Sequence, residues 1–281
     1  MRYAVNLPNF GPYADPRTVA GLAADAEACG WDGLFVWDHV TFVADWNLEI
    51  GDPWIILAAV ALATERLRLG TMVTPVPRRR PSKLARETVT LDRLSGGRLV
   101  LGVGLGAPPG DEYGIFGEAT DARTLSAKLD EGLAVLTGLW SGRPFGFNGH
   151  HYRVTKVSFH PTPLQQPRIP VWVAGTWPGR GPFRRAARWD GVVPMKATAE
   201  PESLTPAEVA EVVAAVGAHR TGQEPFEVMV GGLTGQDPAA DRATVDALAQ
   251  AGATWWSEWL SPMRGDLATI RARVRQGPPG R

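Results

Sequence analysis

Short apolar runs alternate with longer segments of helical periodicity along almost the whole chain. This alternation is typical of parallel strands covered by crossover helices. The predicted strands are Tyr3–Leu7, Gly33–Trp37, Leu67–Val73, Leu99–Val103, Val171–Ala174, Gly191–Pro194, Phe226–Val230 and Thr254–Trp259. The predicted helices are Pro16–Cys29, Pro53–Ala63, Ser82–Leu94, Arg123–Trp140, Phe183–Arg188, Pro206–His219, Pro238–Ala251 and Gly265–Arg275. Eight strand–helix units in 281 residues predict an α/β fold, the (β/α)8 TIM barrel.

One connection breaks this rhythm. Residues 141–170 are rich in glycine, proline, histidine and aromatic residues and fit neither a helix nor a buried strand. We expect an ordered excursion with a hairpin over Phe145–Val154, serving as a lid or as an oligomer contact. The barrel is then a single domain over residues 1–276, and residues 277–281 form a frayed tail.

Composition excludes several classes of partner. The 29 basic and 29 acidic residues cancel, so no global field attracts nucleic acid or an anionic membrane. No run approaches the roughly 20 apolar residues of a membrane span, and the amino terminus lacks the apolar core of a signal peptide. One cysteine, Cys29, excludes an internal disulfide. We expect a cytoplasmic protein that binds a small molecule.

Active sites of such barrels lie at the carboxyl ends of the strands. Asp38 and His39 follow the second predicted strand directly. His39 has an ordinary pKa near neutrality and is a candidate general acid or base that Asp38 could tune. The alternative is a loop histidine bonded to a backbone carbonyl, with Asp38 capping a turn. Other strand ends are poor in metal ligands, so no metal site is predicted.

Glycine-rich backbone follows two further strands. The segment Gly102–Gly106 satisfies a dinucleotide-binding fingerprint in form, but we reject that interpretation because Pro108 and Pro109 oppose the helix it requires. The segment Gly175–Gly181 leads into a predicted helix and offers backbone amides to a phosphate. The run Arg78–Arg80 is a solvated face by default, or meets the acidic tail of a ligand.

The chain resembles the luciferase-like monooxygenases, which include flavin-dependent monooxygenases and oxidoreductases that use the deazaflavin F420. The resemblance covers nearly the whole chain. It rests on Gly30–His39, Leu69–Pro75, Pro81–Gly106, Leu129–Leu133 and Pro167–Gly175. It implies the same (β/α)8 barrel, with the ring of the cofactor at the carboxyl face.

The resemblance also implies roles for individual residues. In the deazaflavin branch an Asp-His pair ends the second strand, as Asp38 and His39 do, whereas many flavin-dependent members have a Glu-His type ending. A bulge with a non-prolyl cis peptide backs the ring, and the matching bond is Met72–Val73. Family phosphate contacts fall on the Gly175 loop. The predicted cofactor-binding residues are Thr71, Met72, Val73, Gly104, Gly106, Ala174, Gly175, Thr176, Trp177, Gly179 and Arg180.

One departure bears on activity. Sugar-phosphate dehydrogenase members place a catalytic glutamate after the fourth strand, where this chain has Ala107. Glu112 could substitute only if its loop folds back.

These observations favour an F420-dependent oxidoreductase that transfers a hydride to or from a small organic substrate lying beneath the excursion. Trp177, Trp255, Trp256 and Trp259 either line the substrate space or pack in the core. An FMN monooxygenase using reduced flavin and oxygen is the alternative, followed by a non-catalytic cofactor-binding protein. Family barrels often pair through outer helices, so a homodimer is a further expectation.

Overall fold

The computed structural model describes residues 1–43, 46–196, 202–235 and 237–280. Its strands are β1 (Arg2–Leu7), β2 (Gly33–Val36), β3 (Arg68–Pro75), β4 (Leu99–Gly104), β5 (Phe145–Asn148), β6 (Arg153–Val157), β7 (Val171–Trp177), β8 (Gly191–Lys196), β9 (Glu227–Gly232) and β10 (Trp255–Trp259). Eight of them close a parallel barrel in the order β1-β10-β9-β8-β7-β4-β3-β2. The predicted TIM barrel is confirmed, because each predicted barrel strand overlaps an observed one.

The helices are α1 (Pro16–Ala28), α2 (Pro53–Ala63), α3 (Pro81–Leu94), α4 (Pro109–Glu112), α5 (Ala122–Trp140), α6 (Arg180–Ala186), α7 (Pro206–Gly217), α8 (Pro238–Gln250) and α9 (Leu267–Arg275). The longer helices cover the outside of the barrel, whereas the four-residue α4 lies in the loop after β4. Several begin in the same way, with an aspartate that caps the first turn and a proline just inside it, as Asp52 and Pro53 do for α2. Such starts satisfy free amides and use a fixed φ that suits the first turn.

A plug of side chains, one from each barrel strand, fills the barrel interior. It consists of Ala4, Phe35, Met72, Val100, Trp172, Val193, Met229 and Trp255. The rings of Phe35, Trp172 and Trp255 contact one another with centroids 5.5–6.1 Å apart. The barrel is therefore closed below its carboxyl face, and the mouth above the plug is the place for a ligand.

Strand β3 is irregular where it reaches this mouth. Its register against β4 shifts between Thr71 and Thr74. The Met72–Val73 peptide bond is cis, as the resemblance implies.

The excursion packs against the helical layer. Its hairpin, β5 and β6, pairs in antiparallel fashion as predicted. Glu131 of α5 accepts hydrogen bonds from the amides of His150, His151 and Tyr152 at the hairpin turn. The returning chain is fixed near the amino end of β4, where the Gln165 side chain donates to the Leu99 carbonyl at 2.7 Å. The expectation of a lid above the substrate is thus wrong. Helix α5 runs from the carboxyl face of the barrel toward the amino face, and the excursion follows its end there.

Two smaller expectations also differ from the structure. A helical turn, α4, does begin at Pro109, since a first-turn proline needs no amide partner. The tail is expected to fray, but it packs against the barrel. Gly277 and Pro278 are buried, and Arg273 donates to the Gly277 carbonyl at 2.8 Å. Arg281 lies outside the described residues.

No helix in the described part of the chain is long and apolar enough to cross a membrane. Within the same residues, no group of three or more His, Cys, Asp or Glu side chains could hold a metal ion.

Candidate active site

The predicted site residues lie on one arc of the barrel mouth. Strands β2, β3, β4 and β7 are consecutive neighbours in the closed sheet. Asp38 and His39 follow β2 at one end of the arc, and the Gly175 loop lies at the other end. Met72, Val73 and Gly104 lie between them on β3 and β4. The topology therefore brings both groups of predicted residues to the same edge.

Asp38 is the centre of a buried ion network. Its side chain has no exposed surface, and Thr74 donates a hydrogen bond to its Oδ2 at 2.8 Å. Arg79 binds both carboxylate oxygens, with Nη2 at 2.8 and 2.9 Å and Nε at 3.1 Å. Arg78 pairs with Oδ1 and also donates to the Asp38 carbonyl at 3.0 Å. Two arginines thus compensate the burial of this carboxylate.

Glu112 reaches the same network from the loop after β4. The turn of α4 folds this loop back, and Thr41 holds it by donating to the Asp111 carbonyl at 2.8 Å. The Glu112 side chain is fully buried, with Oε1 2.7 Å from His39 Nδ1 and Oε2 paired with Arg78. The condition stated for Glu112 to replace the residue at Ala107 is met: the loop does fold back, and a carboxylate contacts His39.

The backbone of His39 is also fixed. Asn9, fully buried after β1, donates from Nδ2 to the His39 carbonyl at 2.8 Å and accepts from its amide at 3.2 Å. The same Nδ2 donates to the Gly51 carbonyl at 2.8 Å. One side chain therefore joins the loops after β1 and β2 and sets where the His39 ring can point.

The environment of His39 favours the neutral imidazole. Burial, reinforced by the positive charge of Arg78, lowers the pKa of His39 to about 4, and Asp38 opposes this shift. A neutral ring that faces the Glu112 carboxylate must carry its proton on Nδ1 and donate it. Nε2 is then an unprotonated acceptor, and no described residue makes a hydrogen bond with it. This nitrogen is free to take a proton from a ligand.

The charges around His39 balance when its ring is neutral. Asp38 and Glu112 contribute two negative charges, and Arg78 and Arg79 contribute two positive ones. Glu87 lies 3.8 Å from Arg79 but is itself paired with Lys83 at 2.6 Å. The arrangement can therefore act as a general base whose orientation and tautomer are fixed by buried ion pairs.

Small residues and free polar atoms line the floor of the mouth. An added Cβ at Gly104 would lie 2.7 Å from Val73 and 3.8 Å from Ala174, so these three residues form a tightly packed surface. Asn6 and Ser257 each lie two residues beyond a plug residue and so point inward. Asn6 Oδ1 and Ser257 Oγ are buried without a partner among the described residues. A flat ring with amide N–H and C=O groups, as in deazaflavin and flavin, fits both the surface and these atoms.

The loop after β7 is open to solvent. Gly175 is buried beneath Pro182, where a Cβ would lie 2.2 Å from the proline ring. Thr176, Gly179 and Arg180 are exposed, and Arg180 has no ion-pair partner within the described residues. Helix α6 begins at Arg180, three residues earlier than predicted, and has seven residues.

The remaining predicted residues lie in different surroundings. Thr71 lies buried behind the surface, bonded to Thr74 at 2.9 Å, and Gly106 adopts a positive φ of 84° after β4. Trp177 packs edge-on against Phe183 at 5.3 Å. Trp255 and Trp256 are core residues with 1 % exposure, so they do not line a substrate space.

The sequence interpretation missed three contributions. Arg78 and Arg79 belong to the buried network, so the solvated face expected for the arginine run is wrong for these two residues; only Arg80 is exposed. The sequence interpretation gives Glu112 a role only if its loop folds back, and it assigns no role to Asn9. The available signal was that β2 and β3 are neighbours, which places an arginine run after β3 beside an aspartate after β2.

Comparison with known proteins identifies a family and several relatives of this chain. The family described as luciferase-like monooxygenase matches residues 1–276. An F420-dependent glucose-6-phosphate dehydrogenase of Nakamurella multipartita is 31% identical over 182 residues, which are 63% of this chain and 50% of the relative. An F420-dependent hydroxymycolic acid dehydrogenase of Mycobacterium tuberculosis is 30% identical over 236 residues, 79% of this chain and 61% of the relative. The chain spans about half the length of the first of these relatives.

A solved structure agrees with the fold. An F420-dependent secondary alcohol dehydrogenase, in complex with an F420–acetone adduct, superposes with a TM-score of 0.79 at 17% identity, covering 100% of this chain and 99% of the other. The barrel fold is thus shared with this structure.

Proposed function

Because the chain belongs to the luciferase-like monooxygenase family, we propose that it is an F420-dependent oxidoreductase that moves a hydride between the deazaflavin and a small organic substrate. The observation that carries the proposal is the buried network that holds His39 neutral, with Nε2 free beside the mouth. Hydride removal from an alcohol leaves a hydroxyl proton, and a fixed neutral imidazole is suited to accept it.

The chemistry divides between cofactor and protein. When bound, F420 supplies a ring that accepts or returns a hydride. His39 Nε2 takes the proton of the substrate hydroxyl in oxidation and gives it back in reduction. Glu112 stabilises the imidazolium that forms in oxidation, because its carboxylate lies 2.7 Å from Nδ1. Asp38 holds Arg78 and Arg79 in place, and Arg78 in turn pairs with Glu112.

Residues of the arc are proposed to hold the cofactor. Met72, Val73, Gly104 and Ala174 form the surface for the ring, and Thr71 and Gly106 shape its edges. The segment from Gly175 to Arg180, with Thr176, Trp177 and Gly179, is proposed to hold the phosphate-bearing tail. The exposed guanidinium of Arg180 supplies positive charge for that tail.

Relatives support the cofactor more than the substrate. Two curated relatives are named as F420-dependent dehydrogenases, one for a sugar phosphate and one for hydroxymycolic acid. Their substrates differ widely, so only the deazaflavin is carried over to this chain. The non-catalytic alternative depends on Ala107 in place of a catalytic glutamate. The contact between the Glu112 carboxylate and His39 argues against that alternative.

An FMN-dependent monooxygenase is the second candidate, because the description of the matched family names that reaction. A cytoplasmic location and a homodimer stay predictions from the sequence and from the resemblance.

Paired titrations test the cofactor. Eleven tryptophans make ring binding visible as fluorescence quenching when oxidised F420 or FMN is added. We expect saturable quenching by F420 and none by FMN at equal concentration. Preference for FMN, with oxygen consumption when reduced FMN is supplied, would transfer the proposal to the monooxygenase.

A variant tests the base. His39→Gln should keep F420 binding and lose about 10²–10⁴-fold in turnover. His219→Gln, at an exposed residue just after the carboxyl end of α7, should keep both. Unchanged turnover in His39→Gln would remove the assignment of His39.

A further inference from the structure

We propose that the substrate of this site is an uncharged molecule with an apolar, ring-shaped body, such as an aromatic or alicyclic alcohol or ketone, and not a phosphorylated sugar. The inference rests on the proposed function and deepens it by naming the substrate class. Three features of the mouth carry it: its apolar rim, the aromatic wall beside His39, and the pairing of its cations.

Large apolar side chains are exposed around the carboxyl face. Six of them lie at strand ends or in the loops that follow strands: Trp46, Ile115, Phe116, Met195, Leu233 and Met263. Their exposed fractions run from 44% to 66%. Of these, Trp46 belongs to a contiguous aromatic cluster with Phe42 and Phe10, and contiguous exposed apolar surface marks binding sites.

An aromatic wall adjoins the proposed base. Phe42 lies with its ring centroid 4.9 Å from that of His39 and stacks on Phe10 at 4.6 Å. Trp37 packs edge-on near His39 at 5.8 Å, and Trp46 extends the wall outward from Phe42 at 5.9 Å. Ring faces at these spacings suit a further flat ring. A substrate held against this wall would bring its polar group to His39.

The cations of the mouth are mostly engaged. Arg78 and Arg79 are bound to the Asp38 and Glu112 carboxylates. Lys196 pairs with Glu202 at 2.7 Å and Glu208 at 3.1 Å. A substrate phosphate that took any of these cations would leave a carboxylate unpaired, which is costly where the carboxylate is buried.

Arg80 and Arg180 are cations of the carboxyl face that have no ion-pair partner among the described residues. Both are exposed, and Arg180 lies in the loop proposed for the cofactor tail. Exposed positive charge is therefore available to the acidic tail of F420, whereas the substrate faces the aromatic wall.

Direct binding tests the class. The probes are naphthyl methyl carbinol, an uncharged two-ring secondary alcohol, and glucose-6-phosphate, each titrated calorimetrically into F420-loaded protein. We expect saturable binding of the carbinol and none of the sugar phosphate. Phe42→Ala and Trp46→Ala should each weaken carbinol binding about tenfold. Phe159→Ala, a half-buried aromatic on the excursion that stacks with Arg86, is the matched control and should change nothing.

The outcomes separate the two proposals. Tighter binding of glucose-6-phosphate, or carbinol binding that Phe42→Ala and Trp46→Ala leave unchanged, would overturn the substrate class while F420 binding stands. Carbinol binding that depends on Phe42 in protein that fails to bind F420 would overturn the proposed function and leave the apolar site in place. Trp46 is 57% exposed, so its replacement tests the wall without a folding defect.

Discussion

Replacing Arg78 by methionine should destabilise the fold and weaken the dependence of stability on pH that His39 causes. The Arg78 side chain is 9% exposed and pairs with both Asp38 and Glu112. Without it, Asp38 keeps the bidentate Arg79, but Glu112 keeps only His39. Removal of one partner from a buried ion pair typically costs about 3–5 kcal/mol. We expect a loss of that size near neutral pH.

His39 determines the sign of the pH dependence. In the native chain its pKa of about 4 lies below the ordinary 6.5, so protonation favours the unfolded state. This single group should therefore remove up to about 3 kcal/mol as pH falls from 6.5 toward 4. In Arg78→Met the loss of the positive charge of Arg78 raises the pKa of His39 toward its ordinary value, while burial still holds it below that value. The stability that His39 removes as pH falls is then smaller than in the native chain.

Urea unfolding at about pH 5 and about pH 8 measures this change. Each protein is compared with its His39→Gln partner, so that the difference isolates His39. Arg188→Met is the control: this arginine is 63% exposed and pairs with Asp130 at the surface, so it should cost at most about 1 kcal/mol. A His39 contribution that is as large in Arg78→Met as in the native chain would refute the role of Arg78 in lowering the pKa of His39.

Three further predictions concern the same mouth. Glu112→Gln keeps the volume but turns one acceptor oxygen into a donor amide; turnover should fall about 10²-fold or more with F420 affinity retained, measured by steady-state kinetics and fluorescence titration. Gly104→Ala adds a Cβ 2.7 Å from Val73; F420 affinity should fall, while thermal unfolding shows a loss of about 1–3 kcal/mol. Substrate oxidation, followed as kcat/KM against pH, should decline as pH falls through about 4 and should show no break near 6.5.

The fold was accessible from the sequence because each barrel element carries its own local signal. Apolar runs such as Leu99–Val103 and proline starts such as Pro53 need no knowledge of distant residues. Asp38 and His39 were accessible for a similar reason, since the carboxyl end of a barrel strand is defined by the strand itself. The resemblance added the Met72–Val73 bond, which no periodicity indicates.

The rest depended on contacts between distant residues. Glu112 is 73 positions from His39, and nothing in the intervening sequence shows that its loop turns inward. An arginine run is solvated in most proteins, and only the neighbouring carboxylate of Asp38 makes burial favourable for Arg78 and Arg79. The excursion was misplaced because its composition predicts order but gives no direction. Its position followed from Glu131, whose carboxylate holds the hairpin turn.

The contrast between buried and exposed arginines makes the two halves of the site respond differently to ionic strength. Arg78 and Arg79 are shielded from mobile ions, and their interactions with carboxylates are screened little. Arg80 and Arg180 are exposed, and attraction between these cations and an acidic cofactor tail weakens as the Debye length falls from about 10 Å at 0.1 M to about 3 Å at 1 M. Added potassium chloride should therefore raise the KM for F420 and leave kcat nearly constant.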